Sequence, residues 1–379
     1  MKNQKSDPIF LQIFCPNSRC SKKNRQVIRK GFAFRKNGSP RRNYKCKGCN
    51  KKFSDSTFDH LFRCKRRDPF ENQKIFFGIV HARSNRSLAR ELKSSENFIR
   101  QRAMKLTQAS ILAHNEILKN LKIKEDIAYD GLEAFAHSQY EPNNINQCVG
   151  SRSLFTYTFN FAPMNRKGYI SPRQKNYLEK LELKKGRFDP KAIRKASKII
   201  FEDLVKRKDP GIPKITLYSD EHFQYRRALN LDMNPQLRSQ IDHQTVSSKE
   251  TRNYKNILFP VNHLDLLIRQ KVTAFTRETI SFAKKHSRMI SKYILFICYK
   301  NYMRPQFVKK HKTDSRAHLD SPAMKLKIKS ELLSLAKFLG PRNPCPAIES
   351  LPLDWPLIYQ DRVGFSRSLA FKKFSKIAL

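Results

Sequence analysis

Four cysteines stand in two close pairs near the start of the chain. Cys15 and Cys20 are separated by four residues, and Cys46 and Cys49 by two, with Gly48 inside the second pair. Zinc binds four thiolates in a tetrahedron, and two short cysteine turns supply two thiolates each. The pattern predicts one structural zinc ion held by these four residues. The alternative is four unligated thiols.

Two aspartates follow short apolar runs in a chain that carries few acids. Asp130 follows residues 127–129, and Asp220 follows residues 215–219. If the two runs are neighbouring strands, the carboxylates repel one another at close range and need a divalent cation. Oxygen ligands favour Mg²⁺ or Mn²⁺, and a pair of such ions assists attack on a phosphodiester. The alternative for each aspartate is an ordinary turn or cap residue.

A third acid normally completes such a site, and two candidates follow later in the chain. Asp265 lies in a predicted helix over residues 262–270, where it shares a face with Asn262 and Arg269. That face would present one carboxylate to the ions and one cation to DNA. Glu278 is the second candidate for the third acid.

Residues 75–106 have the pattern of three short helices, with turns at residues 84–85 and 94–95. Ser94 or Ser95 is a good N-cap for the third helix. This is the layout of a helix-turn-helix, whose third helix would lie in the major groove. The alternative is a plain helical hairpin with a solvated charged face. The residues predicted to contact DNA are Asn97, Arg100, Gln101 and Lys105, together with Arg269 from the later helix.

The composition fits a nucleic-acid partner. The chain has 379 residues and a formal net charge of +45, which implies a polyanionic partner. Its hydrophobic fraction of 39% is enough for a folded core. The sequence contains no run of 18 or more apolar residues, the length that would predict a membrane span. The N-terminus lacks the apolar centre of a signal peptide. We therefore expect a cytoplasmic protein that keeps its cysteines reduced.

Strand-like and helix-like segments alternate over residues 121–305, which predicts an α/β domain. The predicted strands are residues 127–129, 153–161 and 214–219, and the predicted helices are residues 190–208, 263–302 and, in the tail, 323–339. The predicted domains are a zinc unit (9–68), a helix-turn-helix region (71–120), the α/β domain with a basic insertion at about 165–212, and a basic extension (306–379).

Two stretches resemble bacterial insertion-sequence transposases of the IS-one type. The first is the Cys15 and Cys20 pair followed by Tyr44-Lys-Cys-Lys-Gly-Cys-Asn-Lys-Lys-Phe-Ser-Asp55. The second is Asn262-His-Leu-Asp265, then Arg269, then Arg277-Glu-Thr-Ile-Ser-Phe-Ala-Lys-Lys285. The resemblance covers roughly residues 12–302, with gaps in the middle.

The resemblance implies a zinc ribbon followed by a ribonuclease H-like mixed-sheet domain with a DDE acid triad. Asp130 would be the first acid and Asp220 the second. Asp265 falls where the family usually has Glu, and Glu278 is the alternative third acid. The shorter Asp265 side chain requires its helix to approach the metal ions more closely, or the site is impaired.

The implied function is that of a DNA transposase. It would bind the terminal inverted repeats of a mobile element as a homo-oligomer, and catalyse Mg²⁺- or Mn²⁺-dependent strand cleavage and strand transfer in the bacterial nucleoid. The first alternative is a non-catalytic zinc-containing DNA-binding protein, either a transcription regulator or a domesticated or decayed transposase. A basic RNA-binding or ribosome-associated protein is a further alternative.

Overall fold

The N-terminal part of the chain forms a small antiparallel sheet. The computed structural model describes residues 15, 17, 20, 27–34, 40–54, 70–247, 249–276, 281–306, 319–339 and 351–371. Strands β1 (Val27–Phe34), β2 (Pro40–Cys46) and β3 (Lys52–Ser54) pair in that order. A register shift between Arg29 and Phe32 contains Gly31, whose φ of +85° is a backbone conformation that glycine adopts without strain.

Three helices follow this sheet. They are α1 (Phe70–Val80), α2 (Asn85–Glu91) and α3 (Glu96–Lys119). Ser84 caps α2 by accepting from the Ser87 N–H, and Ser95 caps α3 by accepting from the Phe98 N–H. Helix α3 extends well beyond the predicted end at residue 106, because buried side chains at helical spacing, including Ile111 and Leu118, continue to its last turn.

The central element is a five-stranded mixed sheet with the strand order β6-β5-β4-β7-β8. Its strands are β4 (Ile127–Phe135), β5 (Pro142–Gly150), β6 (Thr156–Pro163), β7 (Ile215–Asp220) and β8 (Ile241–Val246). Strands β4, β5 and β6 pair antiparallel, whereas β7 is parallel to both β4 and β8. The predicted α/β class is confirmed at this level.

The remaining helices surround the sheet or extend from it. They are α4 (Pro172–Lys185), α5 (Ala192–Arg207), α6 (Phe223–Arg227), α7 (Pro235–Arg238), α8 (Phe259–Lys271), α9 (His286–Tyr302), α10 (Pro322–Lys325), α11 (Leu335–Leu339) and α12 (Trp355–Tyr359). Helix α5 buries an apolar stripe that includes Ile200 and Phe201, whereas α4 has no buried residue. No helix in the described ranges is both long and apolar enough to cross a lipid bilayer.

The structure corrects two predicted helices and adds two strands. The single helix over 263–302 is wrong, because α8 ends at Lys271 and α9 begins at His286. The helix over 323–339 is also wrong, since only its two ends, α10 and α11, are helical. Strands β5 and β8 were not predicted. Both are rich in polar side chains, which removes the apolar signal of a buried strand.

One hydrophobic core joins the sheet to helices from both ends of the chain. Helix α9 is buried along most of its length and packs against α1 and α3. From the C-terminal side, Trp355 is fully buried and stacks on His114 and Phe159. Its indole N–H donates to the Phe159 carbonyl oxygen at 3.0 Å. The sheet edge at β6 is therefore covered by the chain's own C-terminal segment.

Candidate functional site

The four cysteines of the predicted zinc site lie in one tight group. Their Sγ atoms all lie within 4.8 Å of one another. Cys15 Sγ is 3.4 Å from Cys49 Sγ, and Cys20 Sγ is 3.8 Å from Cys46 Sγ. Strand β2 ends at Cys46, and the turn after it carries Cys49. This grouping of the four residues is as the sequence predicts.

The geometry of the group fits a structural zinc ion. A tetrahedral site with Zn–S bonds of about 2.3 Å requires S–S distances of about 3.8 Å. Hydrogen bonds from the Asn17 side chain and the Lys51 backbone lower the pKa of Cys49 to about 6, which favours a thiolate. Burial raises the pKa of Cys15 to about 12. A cation at the centre would favour the thiolate form at all four positions.

The apolar cluster beside these cysteines is small. Tyr44 and Phe53 stack with ring centroids 5.4 Å apart, and both are buried against the cysteines. Such a cluster buries too little apolar surface to hold a separate unit together on its own. A bound ion would supply the missing folding free energy.

The central sheet brings Asp130 and Asp220 to the same place. The parallel register of β4 and β7 pairs Tyr129 with Ser219, and the two aspartates are the next residues along their strands. The Asp130 carboxylate accepts from the Gly131 N–H at 2.7 Å, and the Asp220 carboxylate accepts from the His222 N–H at 3.1 Å. Local backbone groups therefore orient both side chains.

Asp265 approaches the same part of the sheet from helix α8, which packs against β4 and β5. Gln147 lies directly opposite Asp130 in the β4–β5 ladder. Its Nε2 donates to Asp265 Oδ1 at 2.6 Å, and its Oε1 accepts from the Tyr293 hydroxyl at 2.9 Å. Gln147 therefore links the third aspartate to the strand that carries the first.

The three carboxylates interact electrostatically. Desolvation, followed by the charges of Asp220 and Asp265, raises the pKa of Asp130 to about 7, while the Gly131 N–H and Arg252 act in the opposite direction. Within the described ranges, however, only the four cysteines are close enough to share one ion as they stand. The oxygen donor set suits Mg²⁺ or Mn²⁺, and binding would draw the three carboxylates together.

The other predicted site residues fall into three groups. Glu278, the alternative third acid, lies outside the described residues. Arg269 lies near the acids, since its guanidinium donates to the Glu133 carbonyl oxygen at 3.3 Å. The remaining group projects from the first half of α3 and consists of Asn97, Arg100 and Gln101, which are exposed, and Lys105, which is partly buried.

Gln147 and Tyr293 are site residues that the sequence analysis did not predict. Gln147 belongs to a strand with the sequence Pro-Asn-Asn-Ile-Asn-Gln-Cys-Val-Gly. Three other buried amides form a hydrogen-bonded row: Asn144 donates to Asn146, and Asn146 donates to Asn160. A run of amides bounded by apolar residues is the signal that would have found this strand.

Comparison with known proteins does not name a family. No protein-family model matches the chain. A search of curated proteins likewise finds no match.

Proposed function

We propose that this protein is a DNA transposase with a metal-dependent phosphoryl-transfer site. The observation that carries the proposal is the convergence of Asp130 and Asp220, from the neighbouring strands β4 and β7, with Asp265 from α8. We call these three residues the aspartate group. Acids on two neighbouring strands of a mixed sheet, joined by a third from a helix, suit the ribonuclease H-like domain and the acid triad that the resemblance implies. The third acid is then Asp265.

The chain's own groups would orient the acids for this chemistry. The Gly131 and His222 N–H groups fix the first two carboxylates. Gln147, anchored by Tyr293, fixes Asp265. Mg²⁺ or Mn²⁺ held by the three acids supplies charge neutralisation for in-line attack of water or a 3′-hydroxyl on a phosphodiester.

Binding of double-stranded DNA would use other parts of the surface. Arg269 lies one helical turn from Asp265 on α8 and contacts β4 through the Glu133 carbonyl oxygen, a position from which it could contact a backbone phosphate. The exposed side chains of α3 have the amide and guanidinium groups that read base edges in the major groove. With a net charge of +45, affinity would fall steeply as salt rises. The partners in this proposal are element ends, target DNA and further copies of the chain, in the bacterial nucleoid.

A second candidate is a zinc-containing DNA-binding protein that does not cut, either a regulator or a decayed transposase. One observation favours it: the three carboxylates lie farther apart than a shared ion needs. The shorter Asp in place of the family's usual Glu at position 265 points the same way.

The test is cleavage and strand joining on DNA that carries the sequences flanking the gene, with Mg²⁺ or Mn²⁺. Wild type is compared with Asp220→Asn, and with Asp242→Asn as a matched control, because Asp242 is exposed on the neighbouring strand β8. We expect products from wild type and from the control, and none from Asp220→Asn. End-specific binding without products in all three proteins would favour the second candidate.

A further inference from the structure

Two aromatic side chains on β1 are exposed although the sheet has a small core nearby. Phe32 is 58% exposed and Phe34 is 77% exposed. Alternate residues of a strand lie on the same face, so both rings belong to one face of the sheet. Arg42, across the ladder from Phe32, has its guanidinium carbon 4.7 Å from the Phe32 ring centroid. We call Phe32, Phe34 and Arg42 the aromatic edge.

The charged residues of the described small sheet are all basic. Residues 27–34 and 40–54 contain eight Lys or Arg residues and no Asp or Glu. Arg29 pairs with Tyr44 and Arg42 pairs with Phe32, so both arginines share the face of the two rings, whereas Lys45 and Lys52 line an open groove on the opposite face. A surface with this charge fits a polyanion and disfavours docking of another basic chain.

We propose that the aromatic edge binds single-stranded DNA by stacking unpaired bases on Phe32 and Phe34, while Arg42 and Arg29 on the same face contact the phosphates. Base–aromatic stacking needs a free base face, which a duplex does not offer, because its bases already stack on each other. An apolar ring placed against a duplex backbone would gain little. Exposed rings among cations therefore select the unpaired form.

This surface differs in chemistry from the first half of α3. The exposed groups there are the side chains of Asn97, Arg100 and Gln101, whose amides and guanidinium are suited to hydrogen bonds with base edges in the major groove. The two surfaces would bind two forms of the same polymer, paired and unpaired. The choice of DNA rather than RNA rests on the proposed function, in which strand cleavage and joining expose unpaired ends.

The experiment measures affinity of the full-length, zinc-loaded protein by fluorescence anisotropy. The probes are a labelled thymidine 20-mer and a duplex hairpin of equal charge. The test variant is Phe32→Leu/Phe34→Leu, which keeps apolar side chains but removes the rings. The matched control is Tyr169→Leu, since Tyr169 is a 92% exposed aromatic side chain in the loop between β6 and α4. Zinc content is measured for every variant.

We expect the double variant to lose about tenfold or more in affinity for the single strand, and less than about twofold for the duplex. Tyr169→Leu should change neither affinity. Phe34→Tyr should retain binding, because tyrosine also stacks. If the double variant loses zinc, Phe34→Leu alone replaces it, since Phe34 is the more exposed ring.

Three outcomes would overturn the inference, and they differ in what else they reject. The stacking surface is rejected if the double variant loses equal affinity for both probes, or if it keeps its zinc and its single-strand affinity. Either result leaves the proposed function unaffected. A protein that binds neither probe rejects both. A uridine 20-mer bound more tightly than its DNA counterpart, with the same sensitivity to Leu, rejects DNA as the occupant.

Discussion

The cysteine group and the aspartate group are both candidate metal sites, but they are built in opposite ways. The four thiols come from one short part of the chain and lie within 4.8 Å of one another. The three aspartates come from β4, β7 and α8, and each has its own hydrogen-bond partner. A structural zinc site is closed by its ligands, whereas a catalytic site keeps room for substrate. The wider spacing of the aspartates therefore separates two possibilities, a catalytic site that an ion would draw together and a group of acids that binds no ion.

The largest expected effect is at the closed site. Cys46 is fully buried between β2 and the turn, and Cys46→Ala should abolish stoichiometric zinc binding and unfold the small sheet. Structural zinc contributes on the order of 10 kcal/mol to the folding of such units. Zinc content and limited proteolysis measure the effect.

The matched control for this variant is Cys298→Ala, because Cys298 is buried in α9 and does not belong to the cysteine group. The control should keep all of its zinc. If Cys46→Ala also kept its zinc and its resistance to protease, the four cysteines would be unligated thiols. The cysteine group would then not be a metal site.

At the aspartate group, one substitution should lower activity without lowering stability. Asp130→Asn removes a buried like charge, so its melting temperature without added metal should equal or exceed that of wild type. The cleavage rate should fall more than about a hundredfold, because replacing even a residue that only hydrogen-bonds to a metal ligand lowers activity ten- to a hundredfold. The assay pairs thermal denaturation, with and without Mg²⁺, with the cleavage reaction. A lower melting temperature for Asp130→Asn would show that the aspartate is structural.

A smaller effect is expected from the residue that connects the acids. Gln147→Leu keeps the side-chain volume but removes the bonds to Asp265 and Tyr293. Cleavage should fall about ten- to a hundredfold, with more Mg²⁺ needed for half-maximal rate. The control is Gln244→Leu on β8. Gln244 is exposed, and its side chain donates to the exposed Asp242. Equal activities for both variants would remove Gln147 from the site.

The cysteine group was predictable because it depends on a local pattern, since cysteine spacing specifies a turn. Asp220 ends β7 as predicted, but the prediction that Asp130 ends its strand is wrong, because β4 continues to Phe135. The pairing of β4 with β5 extends the strand past the acid, and the apolar run gives no signal of this. Gln147 was not predictable in this way, because its role depends on the β4–β5 register, which brings it opposite Asp130. Strand β5 itself could not be predicted from apolar periodicity, because asparagine and glutamine fill many of its buried positions. The break between α8 and α9 was missed because apolar residues continue through it, among them the buried Val272 and Phe275.

The smallest predicted effect uses a second aspartate with a raised pKa. Burial alone raises the pKa of Asp354 to about 7, with the Phe161 N–H acting against it. The pKa of Asp130 is also about 7, but there the neighbouring acids contribute. The two residues therefore separate desolvation from the repulsion that a metal ion relieves.

For Asp354, the folded protein holds a proton between about pH 4 and pH 7 that the unfolded chain has released. The resulting stability is fully present below about pH 4 and is lost as the pH rises through 7. Asp354→Asn removes this dependence, so the melting temperature of the variant relative to wild type should rise from pH 5 to pH 8. The difference should be unaffected by Mg²⁺, unlike that of Asp130→Asn. A Mg²⁺-dependent difference at Asp354 would mean that the ion acts on any buried carboxylate, and that Asp130, Asp220 and Asp265 do not form a specific metal site.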